Sequence, residues 1–340
     1  WTWSGWVKRG KLGVVQAMFD ATNNVPAPVY NNIRFYANDT LNLTLDNVGT
    51  VSTTAVFRDP SAWYHVVIVM DTTQATTTDR VKMYVNGISQ TLTGTYPSLN
   101  AQGNVNATKQ HALGKYIAGN AQFYDGYLSE LNLIDGQALE PSAFGETGKF
   151  GEWLPKKYTG TYGTNGFYLE ALDSADLGKD TSGNGNDWAN TNAVQVIDTP
   201  TDNFAVINPL IANPSLTYSN GNLKVNGTAE GWMGAPATIY VDSGKWYWET
   251  TITSRGTYSQ VGIAEESYNS TSSRGLEDNA YAYYSYNGNA LRNGTSTAYG
   301  ATYTTGDVIG IALDYDNGEI TYYKNGVSQG VAFTGVTEKL

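Results

Sequence analysis

Cysteine is absent from the 340 residues, and histidine occurs only at His65 and His111. Without thiols, neither disulfides nor thiolate metal sites can hold the fold together, so stability must come from packing. That fits a reducing interior and equally an extracellular particle steadied by oligomerisation. No run of about 18 or more apolar residues occurs, and nothing reads as a membrane-spanning helix. The opening Trp1-Thr2-Trp3-Ser4-Gly5-Trp6-Val7 reads as a strand entered midway rather than as a signal peptide. Basic residues are scarce, with 20 Lys and Arg against 31 Asp and Glu, for a formal net charge of −11. This surplus opposes approach to phosphate backbones and anionic membranes, which removes nucleic acid and membrane insertion from the partner classes. A sustained 3.6-residue apolar stripe is also missing, which leaves little room for helix.

What is present is turn chemistry between alternating strands. The same hairpin is written twice, as Met83-Tyr84-Val85-Asn86-Gly87-Ile88-Ser89-Gln90 and as Tyr322-Tyr323-Lys324-Asn325-Gly326-Val327-Ser328-Gln329. Each copy follows an apolar run ending on an aspartate, Val66 to Asp71 and Val308 to Asp314. Asn-Gly between strand formers signals a type I′ turn, because both residues tolerate positive φ. Nine Asn-Gly pairs punctuate the chain. The pattern predicts an all-β fold of two antiparallel β-sandwich (jelly-roll) domains joined by a Pro/Gly/Asn-rich connector. The first strand-rich region covers 1–150. Residues 151–215 carry Pro155, Pro200, Pro209 and Pro214 and read as connector or wrapping chain, because proline cannot donate to a ladder. The second region covers 216–340. One helical turn is expected at Pro141-Ser142-Ala143-Phe144.

These motifs carry a resemblance. Trp63 to Asp71, Val81 to Gly87 and Phe123 to Leu131 through Leu139 resemble a laminin G-like, concanavalin-type jelly roll. Gly244-Lys245-Trp246-Tyr247-Trp248-Glu249, Val261-Gly262-Ile263-Ala264 and Gly306 to Asp314 with the following hairpin resemble a SPRY domain. The text between, including Asp180-Thr181-Ser182-Gly183-Asn184-Gly185-Asn186-Asp187-Trp188 and Asp198-Thr199-Pro200-Thr201-Asp202-Asn203-Phe204, is similar to linkers in virion proteins of marine bacteriophages. Together these imply a tail-fibre or other virion-surface protein, extracellular and homo-oligomeric. Both module patterns stop short of complete sandwiches, and open sheet edges invite aggregation. The natural polypeptide is therefore expected to be longer in both directions.

Candidate chemistry is sparse. His65 lies inside an apolar strand and reads as a structural imidazole bonded to backbone rather than as a base, since no nucleophile is placed beside it. Concanavalin-type folds also host glucanases, whose mechanism needs paired acids about 5 Å apart. The nearest string, Glu130-Leu131-Asn132-Leu133-Ile134-Asp135, has an amide where a carboxylate is required. Asp173, Asp176, Asp180, Asn184 and Asp187 crowd a Gly-rich loop, where calcium would find hard oxygen ligands, although these are also ordinary turn residues. No cofactor is required. Asp314-Tyr315-Asp316-Asn317-Gly318 reads as a hairpin turn. Most of the 25 tyrosines and nine tryptophans read as core, with Trp246 and Trp248 on one side of their strand. In the loop after Ala264, Tyr268, Arg274 and Asn279 lie on text without strand pattern and are the ligand candidates.

Three functions follow from this reading. The first is a non-enzymatic virion or fibre protein whose sandwich loops grip a host glycan or surface protein. The second is a secreted microbial protein that binds or cleaves glycans. The third is a SPRY-type adaptor that holds a peptide.

Overall fold

Short runs of β-branched and aromatic residues, cut repeatedly by Asn, Gly and Asp, leave the backbone one general way to satisfy its hydrogen bonds, which is pairing between strands. The computed structural model describes residues 1–22, 30–46, 48–227, 231–272 and 275–340. Among these the fold is all-β, with single 3₁₀ turns at Thr77–Arg80, Pro141–Ala143 and Gly275–Glu277. The second of these is the turn expected at Pro141; the other two were not legible. The chain divides into two units, one of residues 1–205 and 219–223, the other of residues 206–218 and 224–340. The Pro-rich stretch is thus shared, with 151–205 in the first unit.

The first unit contains β1 (Thr2–Arg9), β2 (Gln16–Thr22), β3 (Tyr30–Phe35), β4 (Thr40–Leu45), β5 (Gly49–Val56), β6 (Trp63–Met70), β7 (Val81–Val85), β8 (Ile88–Ser89), β9 (Leu92–Thr95), β10 (Gln110–Leu113), β11 (Gly126–Ile134), β12 (Gly145–Thr147), β13 (Trp153–Pro155) and β14 (Phe167–Leu169). Two six-stranded sheets result, in the orders β14-β11-β1-β6-β7-β8 and β10-β2-β3-β4-β5-β9. Successive side chains on β6 point to opposite faces. Val66, Ile68 and Met70 enter the core between the sheets with Trp3, Met18, Phe35 and Leu43. Val67 and Val69 enter a second apolar layer with Tyr84, Ile134, Phe144, Tyr162 and Tyr168. Burial on both faces is why β6 reads as an unbroken apolar run. Each such Val or Ile contributes roughly 1.5–3 kcal/mol of transfer free energy.

After a two-stranded ribbon, β15 (Leu216–Ser219) and β16 (Lys224–Gly227), the second unit contains β17 (Lys245–Thr251), β18 (Gln260–Ala264), β19 (Ala280–Tyr284), β20 (Ala290–Arg292), β21 (Thr295–Thr297), β22 (Val308–Asp314), β23 (Glu319–Lys324) and β24 (Val327–Thr334). They form sheets β17-β22-β23-β24 and β18-β19-β20-β21 around a core of Ile263, Ile309, Ile311, Leu313 and Ile320 with Tyr281, Tyr283, Tyr303 and Tyr322. Buried hydroxyls need acceptors. Tyr303 donates to the Tyr283 carbonyl at 2.7 Å and Tyr322 to the Tyr281 carbonyl at 2.9 Å.

The twin hairpins share one device. Asn86 and Gly87 have φ of +51° and +76°, and Asn325 and Gly326 have +50° and +77°, as type I′ turns require. The Asn86 amide donates to the His65 carbonyl at 2.9 Å, and its Oδ1 accepts the His65 amide at 2.7 Å. Asn325 clamps Val308 in the same way, with both bonds at 2.8 Å. Asn86→Ala and Asn325→Ala should each cost about 1–3 kcal/mol in urea unfolding, because the carboxamide bond and the tolerance of positive φ are both lost. The glycine variants keep φ and should cost about 1 kcal/mol. Equal losses for Ala and Gly would show that turn conformation carries no weight.

Candidate protein-interaction surface

In the second unit, period-2 alternation sends Tyr281 and Tyr283 of β19 into the core and Tyr284 to the opposite face. Tyr284 there joins Tyr286, Trp232 and Tyr258. The ring centroids of Trp232 lie 6.3 Å from Tyr258 and 6.0 Å from Tyr284, and Tyr258 lies 5.4 Å from Tyr286 in an edge-on contact. Tyr258 and Tyr286 are 49% and 60% exposed. Gly275, at φ +64°, lets loop backbone lie against the Trp232 ring, where an added Cβ would come within 2.9 Å of it. The Leu276 amide donates to Gln260 Oε1 at 2.7 Å, which fastens that loop to β18. Four rings from three segments thus form one aromatic patch beside an anchored loop.

A second aromatic surface lies on β17, the outer strand of its sheet. Trp246 and Trp248 are 44% and 36% exposed, which corrects their reading as core residues. Both rings are partly open to solvent, and the Trp246 indole N–H donates to the Ser243 carbonyl at 2.8 Å. An open concavity of about 390 Å³ is lined there by Lys245, Trp246, Tyr247, Asp314, Glu319 and Tyr323. Lys245 pairs with Asp314 at 2.7 Å, and Asn317 donates to both Asp314 oxygens, so Asp314 to Gly318 is the expected hairpin turn.

Several polar side chains of the first unit are paired with one another. His65 Nδ1 accepts the Trp153 indole N–H at 2.9 Å, so Nε2 carries the proton and faces Ser4 Oγ at 2.9 Å. Its partners are side chains, not the backbone expected from the sequence. Tyr168 donates its hydroxyl to Glu130, and Lys157 pairs with Glu170 at 2.5 Å. Burial pushes the Glu130 carboxyl up; burial also acts upward on Glu170, but the Lys157 ammonium holds it below the usual range. Asn132 and Asp135 are likewise engaged, by Tyr162 and by Asn106 and Asn165.

Residues 1–143 match the concanavalin A-like lectin/glucanases superfamily, and residues 245–340 match the SPRY domain. The chain carries a laminin G-type module and a SPRY domain. The Drosophila melanogaster Ran-binding proteins 9/10 homolog is 32% identical over 136 residues, 37% of this chain and 14% of that protein. Ran-binding protein 9 of Homo sapiens is 33% identical over 144 residues, 42% of this chain and 20% of that protein. Ran-binding protein 10 of Danio rerio is 37% identical over 100 residues, 28% of this chain and 17% of that protein. The chain spans a quarter or less of the length of these curated relatives. The solved SPRY domain of human HERC1 is similar at 25% identity with a TM-score of 0.34, covering 38% of this chain and 82% of that one. The expectation of a phage tail-fibre or virion protein adhering to host glycans is overturned, because the curated relatives are animal SPRY proteins named for Ran binding.

Within the SPRY unit, Tyr268 is half-buried, with its ring against Gly234, and burial pushes its hydroxyl pKa up. Asn279 serves the turn: at φ +53° it passes its carbonyl to the Glu265 amide, and its own amide donates to Asn293 Oδ1. Arg274 lies outside the described residues. The sequence reading missed Trp232, Tyr258, Tyr284 and Tyr286. For Tyr284 the signal was present, since its position on β19 opposes the inward Tyr281 and Tyr283; Tyr286 lies in the turn that follows, and Trp232 and Tyr258 sit in loop text with no such cue.

In the acidic loop, Asp180 is buried and accepts from the amides of Tyr168, Ser182 and Asn186 and from the Ser182 hydroxyl, all at 2.8–2.9 Å. Burial acts upward on its pKa, but these donors outweigh it and hold the carboxyl low. Asp187 accepts the Asp180 amide, Asp173 accepts that of Ala175, and Asn184 donates to the carbonyls of Gly163 and Gly166. Asp176 is exposed. Among the described residues, no three His, Cys, Asp or Glu side chains gather as a metal site.

Burial lowers the His65 pKa from 6.5 to about 3, so between those limits the folded protein binds fewer protons than the unfolded chain. Stability should fall as pH drops below about 6.5 and keep falling towards 3. Urea midpoints followed from about pH 7 to about pH 4 should decline more steeply for the wild type than for His65→Gln. Parallel curves would refute the assignment.

Proposed function

We propose that this chain is a non-enzymatic SPRY-type adaptor that holds a segment of a partner protein on the Trp232–Tyr258–Tyr284–Tyr286 patch. The observation that carries this reading is the convergence of four rings from three segments, two of them about half exposed, on one face of the SPRY unit. Tyr and Trp are the residues that most often dominate binding energy, because each brings a large rigid surface with one polar handle. The relatives' names, which specify Ran binding, support a protein as the partner class. The net charge of −11 favours partner segments carrying Lys or Arg. The laminin G-type module serves in this reading as a rigid neighbouring scaffold.

The test is selection of binding peptides from a random display library against the full chain. Tyr258→Ala with Tyr286→Ala should weaken the selected peptides by roughly thirtyfold or more, the effect of losing a hot-spot residue. Both rings stand on the surface, so the fold, followed by circular dichroism, should not change. Peptides that bind the double variant as tightly as the wild type would overturn the reading.

A further inference from the structure

Lys8, in the middle of the double-sided sheet, has no exposed surface. Its ammonium touches three acceptors: Asp198 Oδ2 at 2.7 Å, Asn203 Oδ1 at 2.7 Å and the Phe204 carbonyl at 2.8 Å. The Trp63 indole donates to the other Asp198 oxygen at 2.8 Å, and the Tyr127 ring lies 5.5 Å from the Lys8 nitrogen. Asn203 Nδ2 donates to the Ser61 carbonyl at 2.8 Å, which fixes the orientation of the carboxamide with its oxygen towards Lys8. An amine, a primary amide and a carboxylate able to carry a proton between them are thus held together, the amine and carboxylate buried and the carboxamide at the surface.

We propose that Lys8 and Asn203 become joined by an intramolecular isopeptide bond, formed by the chain itself with Asp198 as proton carrier. The ammonium passes a proton to Asp198 Oδ2, and the neutral Nζ attacks the Asn203 Cγ. Asp198 then gives that proton to Nδ2, the Cγ–Nδ2 bond breaks, and ammonia departs. The new amide nitrogen sheds its extra proton, which leaves with ammonia as ammonium. Lys8 and Asn203 end as one secondary amide, and Asp198 ends as the carboxylate it was. No oxidant or second substrate enters. Burial lowers the Lys8 pKa against the opposing pull of Asp198, which favours the neutral nucleophile. Holding the two groups in contact replaces a bimolecular aminolysis by an intramolecular one, where effective molarities reach about 10⁵–10⁸ M. Asn203 keeps one side exposed, which gives ammonia a way out.

Intact mass of the purified full chain under denaturing conditions tests this. The wild type should weigh about 17 Da less than its sequence, the mass of the one ammonia expelled when nucleophile and amide join. Its tryptic digest should contain a branched peptide joining Lys8 to Asn203, with no cleavage after Lys8. Asn203→Ala, a surface change that leaves Lys8 its other two acceptors, should restore the sequence mass, and Asp198→Asn should do the same. A wild type at full sequence mass after prolonged warm incubation would overturn the proposal. So would an equal mass loss that persists in Asn203→Ala, since it would mark a succinimide at an Asn-Gly pair.

Discussion

The central strands β1 and β6 are dry on both faces, and most of the first unit answers that constraint. One layer is the core between the sheets; the other is Val67, Val69 and Ile134 under the rings of Phe144, Tyr162 and Tyr168. A chain segment that covers a sheet from outside must bring apolar bulk without leaving polar groups stranded. Tyrosine meets both demands, and Tyr158, Tyr162 and Tyr168 pack ring to ring there. Polar side chains on the covered face are matched inside the protein at His65, by Ser4 and Trp153, and at Lys8, by Asp198.

The same constraint separates what the sequence disclosed from what it withheld. Strands, hairpins and the two sandwiches followed from local alternation and from Asn-Gly turns, because those signals act over a few residues. The first-unit membership of 151–205 did not, since its contacts with β1 and β6 span 88 residues from His65 to Trp153 and 190 from Lys8 to Asp198. The acidic loop was ambiguous for a related reason. Asp, Asn and Gly serve calcium and turns alike, and only the positions of the amide donors around Asp180 show how its oxygens are used.

The SPRY unit distributes its aromatics differently. Tyr283, Tyr303 and Tyr322 are sunk in the core with their hydroxyls tied to carbonyls, so they specify packing and leave nothing for a partner. The outward rings of Trp232, Tyr258, Tyr284 and Tyr286 contact one another at stacked, tilted and edge-on angles, so each ring helps to hold the next in place. Composition alone could not divide tyrosines between these roles, since the inward Tyr283 and the outward Tyr284 are neighbours on β19. The virion reading failed at the same level, for shared scaffolds host unrelated partners.

In each type I′ hairpin, one asparagine grips both polar groups of a single residue on the adjoining strand. A strand displaced by one position would turn its apolar residues to the wrong face and would also release that grip. Two penalties of separate physical origin thus mark the same mistake, and both are local in sequence, over 21 and 17 residues. The turns therefore guard strand register, since a slipped pairing loses its buried face and its clamp together.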